Sequence, residues 1–104
     1  MIDPKISLAV DNCYGYKRWT EPRDWMTKSL DCGYCYIEAS ADTEADPLYM
    51  GPGYMRDWVR TVNAEMEATG AKVVNLYSGH GTYTTLGLAH PDSRIRKRFV
   101  DEWF

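Results

Sequence analysis

Short apolar runs alternate with longer stretches of helical spacing along this chain. Three of the runs have the length and the β-branched content of buried strands, and they are residues 5–10, 34–39 and 72–76. The strongest helical pattern covers residues 54–69, where apolar side chains return to one side of a helix. Those side chains are Met55, Val59, Val62 and Met66. The pattern therefore predicts strands and helices in alternation.

Capping residues indicate where the predicted helices begin and end. Thr20 is expected to be the N-cap of the first helix, and Gly33 to follow its last turn. Gly70 ends the second helix, and Asp92 or Ser93 begins the third. The buried side of the third helix is expected to carry Ile95, Phe99 and Trp103.

The predicted order is β-α-β-α-β-α, which makes the chain an α/β protein with a parallel sheet. The segment after each strand is long and rich in polar and aromatic residues, and these loops are residues 11–19, 40–53 and 77–91. In α/β folds, ligands bind at the carboxyl ends of the strands, where such segments lie. We therefore expect a ligand site at that edge of the sheet.

Length and charge limit the classes of protein to which the chain can belong. Its 104 residues suffice for one small domain with a modest core. With 12 basic and 15 acidic residues, the net charge of −3 argues against nucleic acid or a membrane as partner. The basic run at residues 94–98 has helical spacing and is interpreted as a solvated face. No apolar run approaches the ~18 residues of a membrane span.

The cysteines and the start of the chain indicate a reducing, cytoplasmic setting. Three cysteines do not suit a disulfide framework, and the first five residues do not resemble a signal peptide. Cys32 and Cys35 form a Cys-x-x-Cys pair, but we expect that pair at a helix C-terminus, where the dipole does not activate a thiol. Both thiols are therefore interpreted as small packing groups without a redox or zinc-binding role.

Two side chains near the carboxyl ends of predicted strands are candidates for catalysis or ligand binding. Glu38 lies near the end of the second strand, on the face opposite to Ile37 and Ala39. A solvated strand-end carboxylate is the alternative interpretation. His80 stands between two glycines after the third strand and could ligate a metal or transfer a proton. An exposed loop histidine is its alternative.

Two further candidates follow the first strand. Asn12 and Trp19 offer an amide and an aromatic face, which suit a hydroxyl-rich ligand such as a sugar. Loop packing is the alternative interpretation for each. His90 precedes Pro91 just before the last helix and is interpreted as mainly structural.

Several segments together resemble one known family. They are the strand ending in Ile37-Glu38-Ala39, the long second helix, the stretch KVVNLYSGHGTYTTLGLAHPD at residues 72–92, and the last helix with DEWF. They resemble sugar isomerases and epimerases of the xylose isomerase-like TIM-barrel superfamily, of which endonuclease IV is a distant member. In endonuclease IV a His also ends the third strand and is followed by a Tyr and a Leu-Gly-His-Pro run. These features resemble His80, Tyr83 and residues 86–91 of this chain.

The resemblance implies a divalent-metal enzyme that moves protons between adjacent carbons of a sugar or sugar phosphate. The metal would be Mn, Mg, Co or Zn, with His80 as a candidate ligand. Glu38, His80 and Tyr83 would lie on the substrate side. A full barrel has eight β/α units in ~250 residues, and this chain supplies three. We therefore expect residues 1–104 to form a partial TIM-barrel domain, the N-terminal part of a larger enzyme, inactive by itself.

Two other functions remain open. A stand-alone α/β module for small-molecule binding or assembly would cover its open sheet edges by forming a homo-oligomer. A nucleic-acid enzyme on the same barrel would need a multi-metal site rich in histidine, whereas this chain has two His and an acidic balance. The sequence does not identify the sugar, and it does not separate isomerase from epimerase.

Overall fold

The structure is a computed structural model that describes residues 5–15, 18–77 and 86–101. Within those ranges the strands are β1 (Ala9–Asp11), β2 (Tyr36–Ser40) and β3 (Lys72–Tyr77). The helices are α1 (Pro22–Asp31), α2 (Ala41–Glu44), α3 (Pro47–Thr69) and α4 (Ser93–Asp101). Two 3₁₀ turns lie at Asn12–Gly15 and Gly87–Ala89.

The three strands form one parallel sheet in the order β1-β2-β3. The predicted α/β class and the βαβαβ arrangement are thereby confirmed. Because parallel crossovers are right-handed, strands placed in chain order carry their connecting helices on the same face of the sheet. The contacts agree, since α1 and α3 pack against each other and share one core with β2.

The core lies between that face of the sheet and the two helices. Its buried members are Trp25, Met26, Ile37, Val62 and Ala71. Ile37 and Ala39 have no exposed surface, as the predicted alternation along the second strand requires. Partly buried apolar side chains surround this cluster, and they are Val10, Trp19, Leu30, Trp58, Met66 and Val73.

The ends of α1 are set by proline and glycine. Its N-cap is Glu21, not the expected Thr20, because Pro22 takes the first helical position and the Glu21 carbonyl accepts from the N–H groups of Asp24 and Trp25. Gly33, at φ 90°, follows the last turn as expected. The N–H groups of Gly33 and Tyr34 bond the carbonyls of Leu30 and Ser29, both at 2.9 Å, which is a Schellman motif.

The first strand differs from its prediction. It covers Ala9–Asp11 rather than residues 5–10, and it is not buried. Ile6 and Leu8 are 58% and 50% exposed. Within the described ranges β1 is an edge strand that pairs with β2 over three positions, and no described strand covers the apolar residues before it.

The expected loop at residues 40–53 is largely helical. The short α2 directly follows β2, and α3 begins at Pro47. Gly51 interrupts α3 with φ 68° and ψ 163°, and Pro52 then starts its second part. Glycine tolerates that backbone conformation and proline favours a first helical position, so the residues that suggested a loop form a kink.

The buried side of α3 is rotated from its prediction by about one residue. Val62 and Met66 pack on the core as expected, but Val59 is 48% exposed and Trp58 packs in its place. Trp58 offers more apolar area than Val59, so it is the side chain that gains more by facing α1 and the sheet.

The last helix is capped by Asp92, one of the two residues that were expected to begin it. The Asp92 carboxylate accepts the N–H of Arg94 at 2.8 Å, which makes Asp92 the capping side chain. Ile95 and Phe99 are half-buried, and α4 packs mainly on the 3₁₀ turn at Gly87–Ala89. Trp103 lies outside the described residues. Within residues 94–98, the exposed side chains of Arg94 and Lys97 pair with the acidic neighbours Asp92 and Asp101, so the run is a solvated face as predicted.

None of the helices in the described ranges combines the length and the apolar character that crossing a membrane requires.

Two identical substitutions on α3 test the placement of the core. Val62→Ala should lower the free energy of unfolding by about 2 kcal/mol, because it removes buried methyl groups and leaves a cavity. Val59→Ala, one turn earlier and half exposed, should change it by less than about 0.5 kcal/mol. Denaturant unfolding followed by circular dichroism measures both, and equal losses would contradict the observed rotation of α3.

Candidate functional site

The carboxyl ends of all three strands carry polar side chains on the face that the helices leave free. Asp11 of β1 pairs with Glu38 of β2, and Glu38 pairs with Asn75 of β3. One position further, Ser40 pairs with Tyr77. Paired residues of neighbouring strands share a face, so these five side chains lie opposite to Ile37 and the core. We call them the polar edge.

A β-bulge places two of them there. Ile37 pairs with Val73, but Glu38 pairs with Asn75, so Val74 is the extra residue on β3. Without that extra residue, the alternation of β3 would direct Asn75 and Tyr77 toward the helices. The bulge therefore shifts the polar half of β3 onto the polar edge.

Asp11 lies at the centre of a group of hydrogen bonds. Its Oδ1 accepts the N–H of Cys13 at 2.8 Å, and the Tyr77 hydroxyl also interacts with the carboxylate. Burial by itself would raise the pKa of Asp11, but these hydrogen bonds outweigh it, and the net pKa lies below the ordinary value of 3.8. Asp11 is therefore a fixed negative charge at neutral pH.

Cys13 and Tyr77 stay protonated beside that charge. Their Sγ and Oη atoms are 3.1 Å apart. Burial raises the pKa of the Cys13 thiol, and the neighbouring Asp11 raises it further. Burial raises the pKa of Tyr77 as well, with further contributions from Asp11 and Cys13. Cys13 is therefore a poor nucleophile, and Tyr77 acts as a hydrogen-bond donor rather than as a base.

Glu38 and Asn75 are the more open part of the polar edge. Glu38 is half-buried, and its Oε1 accepts from Asn75 Nδ2 at 3.5 Å, the long limit of a hydrogen bond. A bond this long leaves acceptor and donor capacity for a ligand hydroxyl group. The structure places Glu38 at the centre of β2, paired with Asp11 and Asn75; its role in binding stays a prediction.

Asn12 is 1% exposed and holds two strands together. Its Oδ1 accepts the N–H of Ser40 at 3.2 Å, whereas its Nδ2 is buried without a hydrogen-bond partner. The amide therefore links the 3₁₀ turn after β1 to the end of β2. The expected contact of Asn12 with a ligand stays a prediction.

Trp19 belongs to the packing between the first 3₁₀ turn and α1. Its ring lies 6.2 Å from that of Tyr14, and Lys28 Nζ lies 5.8 Å from its centroid. A Cβ on Gly15 would approach the ring to 3.0 Å, so glycine lets the turn lie close to it. The Tyr14 hydroxyl and Ser29 Oγ are 2.9 Å apart, which fixes the turn to α1. The structure shows packing contacts for Trp19, and its ligand role remains a prediction.

The expected sites at His80 and Tyr83 lie outside the described residues. Within the described ranges, no group of three His, Cys, Asp or Glu side chains is placed to hold a metal ion. Asp11 and Glu38 share an edge, but Asp11 is already engaged by Cys13 and Tyr77. The described residues by themselves therefore do not fit a metal centre.

Cys32 and Cys35 are free thiols at the opposite end of the sheet from the polar edge. Cys32 is the C-cap of α1, and the Cys35 carbonyl accepts the N–H of Lys72 at 2.7 Å as β2 begins. The pair follows a helix, as predicted. Both side chains are exposed, so the expectation that they are packing groups is wrong.

A buried carboxyl group in α2 was missed by sequence reasoning. Glu44 is 7% exposed, and burial raises its pKa from 4.5 to about 7. The indole of Trp25 acts in the opposite direction, although its N–H makes no hydrogen bond of ordinary geometry. No sequence signal marks Glu44, because its segment is polar and was expected to be a loop. Asp11 and Tyr77 carried a signal, since each directly follows a predicted strand.

Comparisons of the chain with protein-family models, with curated proteins and with solved structures give no match. The fold and the site by themselves define the class of this protein. It is an α/β protein whose parallel sheet carries helices on one face and a row of polar side chains at the carboxyl ends on the other.

Tyr77→Phe tests the hydrogen bonds around Asp11. Removing the hydroxyl should raise the pKa of Asp11, because burial remains while a donor is lost. The lowered pKa of Asp11 stabilises the fold above its unfolded value of 3.8, and this contribution is lost as pH falls through the folded value. The variant should therefore be less stable than the parent at neutral pH, with the difference shrinking in acid.

Carboxyl ¹³C NMR titration and thermal unfolding against pH measure the two effects of Tyr77→Phe. Tyr34→Phe is the matched control, because Tyr34 is exposed ahead of β2. An unchanged pKa of Asp11 in Tyr77→Phe would contradict the described arrangement.

Proposed function

We propose that this chain forms the first three β/α units of a barrel enzyme of the xylose isomerase-like type, a sugar or sugar phosphate isomerase or epimerase. The topology supports the proposal. In a (β/α)₈ barrel, the strands follow chain order and all helices lie outside, and here β1, β2 and β3 are in chain order with α1 and α3 on one face. A doubly wound sheet would instead need helices on both faces.

The polar edge is the observation that carries the proposal. The helix-free face of a barrel sheet is its interior, and barrel enzymes bind their substrates at the carboxyl ends of the strands. In this chain Asp11, Glu38 and Asn75 form a row across all three strands on that face, and Ser40 and Tyr77 pair at the carboxyl ends of β2 and β3. A row of this kind would be costly in a purely structural interior and suits a polar ligand.

The chemistry of the polar edge suits the hydroxyl groups of a sugar. Glu38 offers a carboxylate that accepts hydrogen bonds, and Asn75 offers both a donor and an acceptor. Tyr77 remains a donor because its pKa is raised by burial. His80 and Tyr83 follow β3 in the sequence, and in this proposal they extend the same edge.

The family resemblance adds a divalent metal to the proposal, which would be Mn, Mg, Co or Zn. When bound in such an enzyme, the metal polarises the sugar oxygens. Because the described residues do not fit a metal centre, we assign no described residue to the metal. His80 remains the candidate ligand in this chain, and the isolated chain is proposed to be inactive.

The exposed apolar surface favours a second candidate, a stand-alone α/β module that binds a small molecule or assembles as a homo-oligomer. Twelve large hydrophobic side chains among the described residues are exposed, including Leu8 of the β1 segment and Val74 and Leu76 of β3. The radius of gyration is 15.5 Å, whereas a compact domain of this length has about 13 Å. In both proposals these exposed side chains are covered, either by the rest of a longer chain or by another copy of this chain.

A sugar-binding and turnover assay tests the proposed function. Aldoses and ketoses should shift the amide NMR signals around Glu38 and Asn75, and the isolated chain should not isomerise them with Mn²⁺ or Mg²⁺. Glu38→Gln should weaken sugar binding by roughly tenfold or more, as loss of a charged hydrogen-bond acceptor does. Glu67→Gln, an exposed change on α3, is the matched control.

Two outcomes of this assay would overturn parts of the proposal. Turnover by the isolated chain would contradict its proposed inactivity. Sugar-induced shifts that avoid the polar edge, or no binding of any sugar, would contradict the assignment of the site and favour the stand-alone module.

A further inference from the structure

The hydrogen-bond donors around Asp11 and Glu38 are directed to acceptors within the polar edge itself. The N–H of Cys13 donates to Asp11 Oδ1 at 2.8 Å, and the Tyr77 hydroxyl interacts with the same carboxylate. The Cys13 thiol lies 3.1 Å from the Tyr77 hydroxyl, and Asn75 Nδ2 donates to Glu38 Oε1 at 3.5 Å. A ligand that reaches this edge therefore meets donors that already have an acceptor.

Acceptor capacity remains in excess at the polar edge. An ionised carboxylate accepts at about four lone-pair positions, and the hydrogen bonds described for Asp11 and Glu38 fill fewer than that. Asn75 adds its carbonyl oxygen and one further N–H. The buried Nδ2 of Asn12, whose Oδ1 accepts the Ser40 N–H, is a donor without a described partner. Uncharged amide donors do not offset two carboxylates, so the edge favours ligand groups that donate hydrogen bonds.

The two carboxyl groups are neighbours, and no described cation accompanies them. Asp11 of β1 pairs with Glu38 of β2, so both side chains stand on one face of strands about 4.8 Å apart. None of the ion pairs of the described residues includes either group. No basic side chain is among the groups that shift the pKa of Asp11. This part of the polar edge is therefore negative at neutral pH.

The charge of Asp11 is also held in position. The Cys13 N–H fixes its Oδ1 from the turn that follows β1. Tyr77 belongs to β3, so its interaction with Asp11 reaches across β2. Because partners from two separate parts of the chain hold the carboxylate, it keeps its place when a ligand arrives.

We propose that Asp11 determines the specificity of the polar edge: beside Glu38, it admits neutral hydroxyl groups of a ligand and excludes a phosphate or carboxylate group. A hydroxyl group can donate to the open acceptors, whereas a phosphate group at neutral pH is mainly an acceptor and carries like charge. A like charge about 4 Å away weakens binding about fivefold even in bulk water. The assignment rests on the proposed function and narrows its ligand to a neutral sugar rather than a sugar phosphate.

Amide NMR titrations of the whole chain with glucose and glucose 6-phosphate test this selection. Glucose should shift the signals of Asp11 and Glu38 and bind at least about fivefold more tightly than its phosphate ester. Asp11→Asn, which keeps an acceptor for the Cys13 N–H, should narrow that difference about fivefold. Asp31→Asn removes the same charge at the exposed end of α1 and should leave the difference unchanged. Equal or tighter binding of the phosphate ester, or an unchanged difference in Asp11→Asn, would overturn the proposal.

A second measurement does not depend on sugar binding. A cationic nitroxide should broaden the amide signals of Asp11 and Cys13 more strongly than an anionic nitroxide of equal size, because the local potential is negative. Asp11→Asn should remove most of this preference, and Asp31→Asn should retain it. Equal broadening by both probes in the parent chain would overturn the proposal. If the nitroxides give the expected result but neither sugar binds, the proposed sugar function fails and the exclusion of anions stands.

Discussion

Burial of one face of β2 beneath α1 and α3 is the interaction on which the rest of the structure depends. Ile37 and Ala39 lose all exposed surface there, against Trp25, Met26 and the inner side of α3. Strands in chain order with right-handed crossovers place α1 and α3 on one face, so the opposite face can carry polar groups. The same packing that builds the core therefore defines where a site can lie.

The polar edge owes its composition to one irregularity in the sheet. The bulge at Val74 turns Asn75 and Tyr77 onto the face of Glu38, and Asp11 of β1 completes the row. Hydrogen bonds from Tyr77 and Cys13 then lower the pKa of Asp11 against the opposing effect of burial. Topology, register and electrostatics thus point to the same edge, and for this reason the ligand site is proposed there.

Most of the fold follows from local patterns in the sequence. The three strands, the Schellman end of α1 at Gly33 and the cap of α4 at Asp92 depend on residues near one another in the chain. Features of the fold that depend on tertiary contacts are harder to predict from the sequence. The exposure of the residues before β1 and the packing of Trp58 instead of Val59 depend on what packs against each element.

The candidate site was only partly predictable for the same reason. Glu38 could be placed from the alternation of its strand, but Asp11 and Tyr77 were assigned to loops because the predicted strands ended one residue early. Their interaction joins distant parts of the chain, and the bulge has no sequence signal. Glu44 was missed because burial of a carboxyl group in a polar segment depends on Trp25, far away in sequence.

The central claim is that the helix-free face is an internal surface of the functional protein. The mass of the protein isolated from the cells that produce it, measured under native and denaturing conditions, tests this most directly. The account predicts a native mass well above the 12.0 kDa of these residues. A longer chain under denaturing conditions would indicate the barrel enzyme, and copies of this chain would indicate the assembly module. A stable native monomer of 12.0 kDa would contradict the account.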